Sequence, residues 1–157
     1  MKTSPPPDQL PDVSDARVAI VQSKWHAQYV DAMVTRCLQV FERAGCATPP
    51  VHVLPGAVEL PLAARRVIRR DRTIDAVIAF GAVLKGDTYH FEVVWRMCTD
   101  GLNQVMLEED VPIIMEVLAV SDLDQLAQRC ADDEFNKGVE AAVAAIEMIY
   151  WRRQNSP

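Results

Sequence analysis

The chain has 157 residues, half of them apolar and about a quarter charged, which suits one globular domain with a sizeable core. Its net charge of -6 argues against nucleic acid as the main partner. No apolar run approaches the ~20 residues needed to cross a bilayer, and Met1-Lys2-Thr3-Ser4-Pro5-Pro6-Pro7 lacks the apolar core of a signal peptide, so no membrane partner is expected and the cytoplasm is the expected location.

Residues 1 to about 15 are rich in Pro, Ser and Asp and predict a flexible arm whose end can extend and pair with another element; residues 16–157 then form a single domain. Arg17 to Gln22 is a short apolar strand. Val30, Met33, Val34, Cys37, Phe41 and Ala44 share one face of a following helix, which Gly45 closes. Val51 to Leu54 predicts a second strand ended by Pro55-Gly56, and Val58 to Arg70 a helix with Leu62, Ala63, Val67 and Ile68 inward. Ala76 to Phe80 is apolar throughout, as a strand covered on both faces should be. A long helix over Tyr89 to Glu109 and a strand over Val111 to Leu118 follow. Ser121-x-x-Asp124 opens a short helix in the manner of a capping box. Asn136 caps a last helix that buries Val139, Val143, Ile146 and Ile149.

Strand and helix alternating along the whole chain predict an α/β fold with a central, mainly parallel sheet and helices on both faces. In such sheets ligands bind at the carboxyl ends of the strands, here Gln22 to His26, Leu54 to Glu59, Gly81 to His90 and Leu118 to Ser121. Cys37, Cys46, Cys98 and Cys130 are widely spaced and form no C-x-x-C pair, so they read as structural thiols, with no metal site expected.

The segment most suited to chemistry is Gly81-Ala82-Val83-Leu84-Lys85-Gly86-Asp87-Thr88-Tyr89-His90-Phe91. It leaves a buried strand, is expected to turn on Gly86 and enters a helix at Asp87 or Thr88, where free backbone N–H groups and the positive helix end can hold an anion. It differs from the phosphate loop G-x-x-x-x-G-K-[ST] because Asp87 stands where lysine is needed; a carboxylate there repels a triphosphate but leaves room for a single phosphate. His90 lies in the first turn, either as a proton-transfer group beside that anion site or as a packing residue. Trp25 and His26 end the first strand, where an indole can stack on a heteroaromatic ligand or fill an interface. Glu59 can bind hydroxyls or simply favour its helix N-terminus. Arg129 and Lys137 can meet a phosphate or be solvated charges, and His52, inside a strand, reads as structural.

Taken together, Leu54-Pro55-Gly56-Ala57-Val58-Glu59-Leu60-Pro61, Gly81 to Glu92, Gly101-Leu102-Asn103-Gln104-Val105, Val111-Pro112-Ile113 and Asn136 to Ala142 resemble the lumazine synthase family. The order and spacing fit from residue 17 to about 150. The resemblance implies a flavodoxin-like three-layer sandwich, assembled as a homopentamer or a multiple of pentamers with active sites between subunits. It implies condensation of 5-amino-6-(ribitylamino)uracil with 3,4-dihydroxy-2-butanone 4-phosphate to 6,7-dimethyl-8-ribityllumazine in riboflavin biosynthesis, without metal or organic cofactor. By resemblance, His90 transfers protons and Gly86, Asp87 and Thr88 line the phosphate site. Arg129 of an adjacent subunit pairs with the phosphate, supported by Lys137. Trp25 stacks on the pyrimidine, Ala57, Val58 and Glu59 hold the ribityl chain, and Gly81, Ala82, Val83 and Met115 complete the substrate site. The family usually has Phe-Gly where this chain has Met115-Glu116. Met115 can still pack on a ring, whereas Glu116 in an apolar strand requires an edge or interface position with a basic partner. Rival readings are a flavin-binding module without catalysis, against which His90, Arg129 and Lys137 argue and for which Met115 and Glu116 argue weakly; a shell protein, which need not exclude catalysis; and a flavodoxin-like electron carrier, which gives the His90 segment no role.

Overall fold

The computed structural model describes residues 9–157, so the first eight positions of the expected arm lie outside the described residues. Val18–Ser23 (β1) is buried at every position and leads into Ala27–Arg43 (α1). Val51–Leu54 (β2) is followed by a short 3-10 turn and Leu60–Arg70 (α2). Ala76–Leu84 (β3) feeds His90–Glu109 (α3), and Ile113–Val120 (β4) feeds Leu123–Arg129 (α4) and Lys137–Gln154 (α5). The four strands form one parallel sheet in the order β2-β1-β3-β4, so the α/β expectation holds.

Residues alternate between two apolar layers because side chains alternate along a strand. Val18, Ile20, Ile78, Phe80 and Leu118 face α1, α4 and α5. Ala19, Val21, Val77, Ala79 and Val117 face α2 and α3. The α1–α5 crossing is unusually close, because a Cβ placed on Gly138 would lie 1.8 Å from the Met33 carbonyl oxygen. Asn136 caps α5 through its side-chain oxygen, which accepts from Gly138 N at 2.8 Å. Gly45 ends α1 in the left-handed region at φ 73°, where glycine carries no Cβ penalty.

Several expectations need correction. The expected arm is not free up to residue 15: Val13 is 1% exposed, Leu10 packs on the α1/α5 layer, and Asp15 pairs with Arg153 at 2.8 Å. Leu62 is 61% exposed and points away from the core; Leu60, Ala64 and Ile68 form the buried stripe of α2, one helical turn apart. The cap of α4 is Asp122, not Ser121: its carboxylate accepts from Gln125 N, and the Gln125 side chain accepts from Ser121 N. The last strand begins at Ile113, two residues later than expected.

Cys37, Cys98 and Cys130 are buried, as the structural reading required. Burial pushes Cys98 and Cys130 up to about 11 and raises Cys37 as well, which keeps these thiols protonated and inert at neutral pH. No helix among the described residues is long and apolar enough to cross a membrane.

Candidate active site

The strand order reverses between β1 and β3, and a crevice at the carboxyl ends of strands follows at such a point. Here the crevice has a specific origin. The β1–β3 ladder ends at the Gln22–Phe80 pair, but β3 runs on to Leu84. Gly81, Ala82 and Val83 therefore overhang β1, still paired to Val117, Leu118 and Ala119 on the other side. Their side-chain positions are buried, so what they offer a ligand is main chain. Gly81 must be small, because a Cβ there would stand 2.9 Å from Ser23 Oγ.

One wall of the crevice comes from the ends of β1 and β2, tied together by Lys24 N donating to Leu54 O at 3.0 Å. Trp25 leaves β1 with 66% of its surface exposed. A Cβ on Gly56 would lie 3.6 Å from Trp25 Cδ1, 3.7 Å from its Nε1 and 3.2 Å from Glu59 Oε2. The indole edge and the carboxylate thus flank the same glycine, with Ala57 buried and Val58 half-buried between them. His26 follows as the α1 N-cap in the left-handed region, φ 57° and ψ 43°, a conformation in which histidine is among the enriched side chains.

The opposite wall is the loop from β3 to α3. Lys85 N donates to Val120 O, which holds the start of the loop beside the end of β4. Gly86, Asp87, Thr88 and Tyr89 are all exposed. The helix begins at His90, later than the Asp87 or Thr88 start expected from the sequence. Gly86 does not take a positive φ, and a Cβ there would meet nothing within 4 Å, so the bend falls on Asp87 and Thr88 instead. Thr88 Oγ1 accepts from His90 N at 3.4 Å. The remaining N–H groups of the first turn are open to an anion, and the His90 side chain is exposed beside them.

Three expected site residues stand elsewhere in the single chain. Met115 is 38% exposed and opposite Ala79, five residues before Leu84 and so roughly 16 Å from the strand's end. Arg129 ends α4 and donates to Gln125 O at 2.8 Å. Lys137 begins α5 and pairs with Glu140 at 2.7 Å. Both belong to the layer of α1 and α5, across the sheet from α3. Glu116 stands half-buried on the edge strand β4, opposite Phe80, which is the edge position expected of it, and close enough for its charge to raise Cys37 and Cys130. His52 sits on the other edge strand, exposed. No group of three or more His, Cys, Asp or Glu side chains among the described residues is arranged to hold a metal.

Within the Gln22 to His26 strand end, sequence reasoning gave no role of its own to Ser23, whose fully buried hydroxyl lies against Gly81, or to Gln22, whose amide donates to Asp31 at 2.8 Å. The available signal was a pair of polar residues closing an otherwise apolar strand.

The whole arrangement lies within a segment that matches a known family. The family model for 6,7-dimethyl-8-ribityllumazine synthase matches residues 15–153. Proteins named 6,7-dimethyl-8-ribityllumazine synthase from Xanthomonas campestris pv. campestris, strains B100 and 8004, are each 39% identical over 136 residues, covering 85% of this chain and 88% of the relative. The chain belongs to the 6,7-dimethyl-8-ribityllumazine synthase family.

Proposed function

We infer that the chain is a transferase of riboflavin biosynthesis, condensing 5-amino-6-(ribitylamino)uracil with 3,4-dihydroxy-2-butanone 4-phosphate to 6,7-dimethyl-8-ribityllumazine. The observation that carries the residue roles is the crevice past the β1–β3 ladder, with Trp25 and Glu59 on one wall and the Gly86–His90 turn on the other. The chemistry needs one amine to condense with a ketone with loss of water, a phosphate to leave, protons to move, and a second amine to close the ring with loss of a second water.

In this reading the indole of Trp25 stacks on the pyrimidine. The overhanging main chain of Gly81, Ala82 and Val83 meets its polar edge, and Ala57, Val58 and Glu59 hold the ribityl hydroxyls. Gly86, Asp87 and Thr88 receive the phosphate through main-chain N–H groups and the Thr88 hydroxyl, since the Asp87 carboxylate itself repels an anion. His90, the first residue of the helix, takes a proton from the attacking amine and returns one in the later eliminations. The proposed reaction uses no metal or organic cofactor.

Met115, Arg129 and Lys137 come from a neighbouring copy, the assembly being a homopentamer or a multiple of pentamers. This accords with the exposed apolar side chains along the chain's surface, among them Tyr89 at 85%, Leu107 at 71%, Met97 at 54% and Val93 at 53%. A cytoplasmic location belongs to the same reading.

Holding two substrates together supplies up to ~7–11 kcal/mol, whereas a general acid–base contributes about 10²–10⁴-fold. His90→Ala therefore slows product formation without abolishing it. The test compares wild type, His90→Ala and an enzyme-free mixture of both substrates, followed by the absorbance of the lumazine. Unchanged turnover of His90→Ala across the pH range removes His90 from the chemistry; no acceleration by the wild type refutes the enzyme.

A further inference from the structure

The opposite end of the sheet holds a second cavity that the condensation does not use. It has a volume of about 580 Å³, within the range of small-molecule sites. Its apolar floor is Val18, Val67, Ile74, Ala47 and Pro50, and its polar rim is Arg17, Arg70, His52, Thr48 and Asp71. These residues come from the start of β1, the approach to β2 with its second residue His52, and the end of α2 with the turn towards β3, so none of them is shared with the strand ends that carry Trp25 and His90; His52, level with Val21, lies nearest to those ends.

The charge balance of the rim is uneven. Asp71 is the one carboxylate of the lining, and it is already engaged: it pairs with Arg17 at 2.8 Å and accepts from Thr73 N and Oγ1 at 3.0 and 2.6 Å. Arg17 is further fixed by its main-chain N–H donating to Asp75 at 2.8 Å. Among the described residues, the guanidinium of Arg70 and the imidazole of His52 have no hydrogen-bond or ion-pair partner. A rim with net positive charge over an apolar floor stands out in a chain whose overall charge is -6.

We propose that this cavity is a second anion site, taking a small organic phosphate whose apolar body lies on Val18, Val67 and Ile74 and whose phosphate meets Arg70, Arg17 and His52. Guanidinium groups suit phosphate because their planar donors bond two oxygens at once. The competing account is that Arg70, in the last turn of α2, only complements the helix dipole. That account predicts a stability effect and no ligand.

Titration calorimetry of the assembled full-length protein with phenyl phosphate separates the two. Wild type is expected to show a binding class that Arg70→Gln weakens at least tenfold, that Arg70→Lys partly restores, and that weakens with added salt. Turnover in the condensation should be unchanged in Arg70→Gln. Inorganic phosphate and benzoate should bind this class more weakly, since each lacks one half of the match. Arg129→Gln is the control for the proposed active-site phosphate: a class lost with Arg70 but kept with Arg129→Gln belongs to this cavity, even if the active-site reading fails. Identical isotherms for wild type and Arg70→Gln, or loss of all binding in Arg129→Gln, overturn the proposal.

Discussion

Gly138→Ala is the substitution whose cost the structure defines most directly. An ideal Cβ at residue 138 meets Met33 O at 1.8 Å, Met33 C at 2.6 Å and Met33 Cα at 2.9 Å. Ordinary van der Waals contact begins near 3.4 Å, so α1 and α5 must separate by roughly 1.5 Å at this crossing. The obstacle is main chain in the second turn of α1 and cannot rotate away. The layer it would open holds Met33, Cys37, Phe41, Ala142 and Ile146, all essentially without solvent exposure. Overpacking that shifts backbone costs about 1–3 kcal/mol and occasionally more, and a 1.8 Å approach to main chain puts this site at the upper end of that range or above it. Replacing glycine by alanine in a helix returns up to about 1 kcal/mol. The net loss is about 2 kcal/mol or more, a fall of about 4–8 °C in Tm for a domain of this size. The assay is thermal and urea unfolding of both proteins at one fixed concentration, because assembly couples apparent stability to concentration. A Gly138→Ala protein melting within 1 °C of wild type refutes the reasoning.

Gly86→Ala is the converse case. A Cβ there meets nothing within 4 Å and the backbone is unstrained, so stability should hold or rise by about 0.4–1 kcal/mol, while KM for the phosphate substrate rises if the loop cradles phosphate; an unchanged KM removes Gly86 from the site. Glu109 provides a pH prediction. Burial pushes its carboxyl up, but hydrogen bonds from Arg69, Arg72 and Arg65 more than offset this and hold it below 4.5. A depressed folded value means the stabilisation is present above the unfolded value and is lost as pH falls through the folded one. Wild type should therefore exceed Glu109→Gln in stability at pH 7, with the gap closing below about pH 4.5 in denaturant titrations; a gap that is constant with pH refutes the linkage.

The architecture was legible because its signals are local. Short continuous apolar runs mark β1 and β3, and period-3.6 apolar patterns mark α1 and α5, without reference to the rest of the chain. Leu62 misled for a related reason. On a helix as basic as α2, a leucine reads as core, yet Leu60, Ala64 and Ile68 already complete the stripe. The site was legible as motifs but not as geometry. Nothing local says that β1 stops at Ser23 while β3 continues to Leu84, and that difference in length creates the overhang at Gly81–Val83. Glycines show the same limit. Gly86 looks obligatory beside an anion loop and is unconstrained, whereas Gly138 looks incidental and is held against the backbone of Met33.

The topology also bears on how many chains make one site. Arg129 and Lys137 lie in the α1/α5 layer, while His90 starts α3 in the other. A sheet separates the two layers, and no rotamer carries a side chain through it. If all three residues serve one reaction, the arginine and lysine at each site belong to a different copy from the histidine. Co-expressing His90→Ala with Arg129→Gln tests this. Each mutant alone carries one defect at every site. In a ring of heterologous contacts assembled at random from equal amounts, about one site in four joins an intact His90 to an intact Arg129. Activity per site should then approach a quarter of wild type, above the mean of the two parents wherever both are severely impaired. Sites built within one chain admit no such rescue, so activity equal to the parental mean would place His90 and Arg129 in separate functions and refute the shared site.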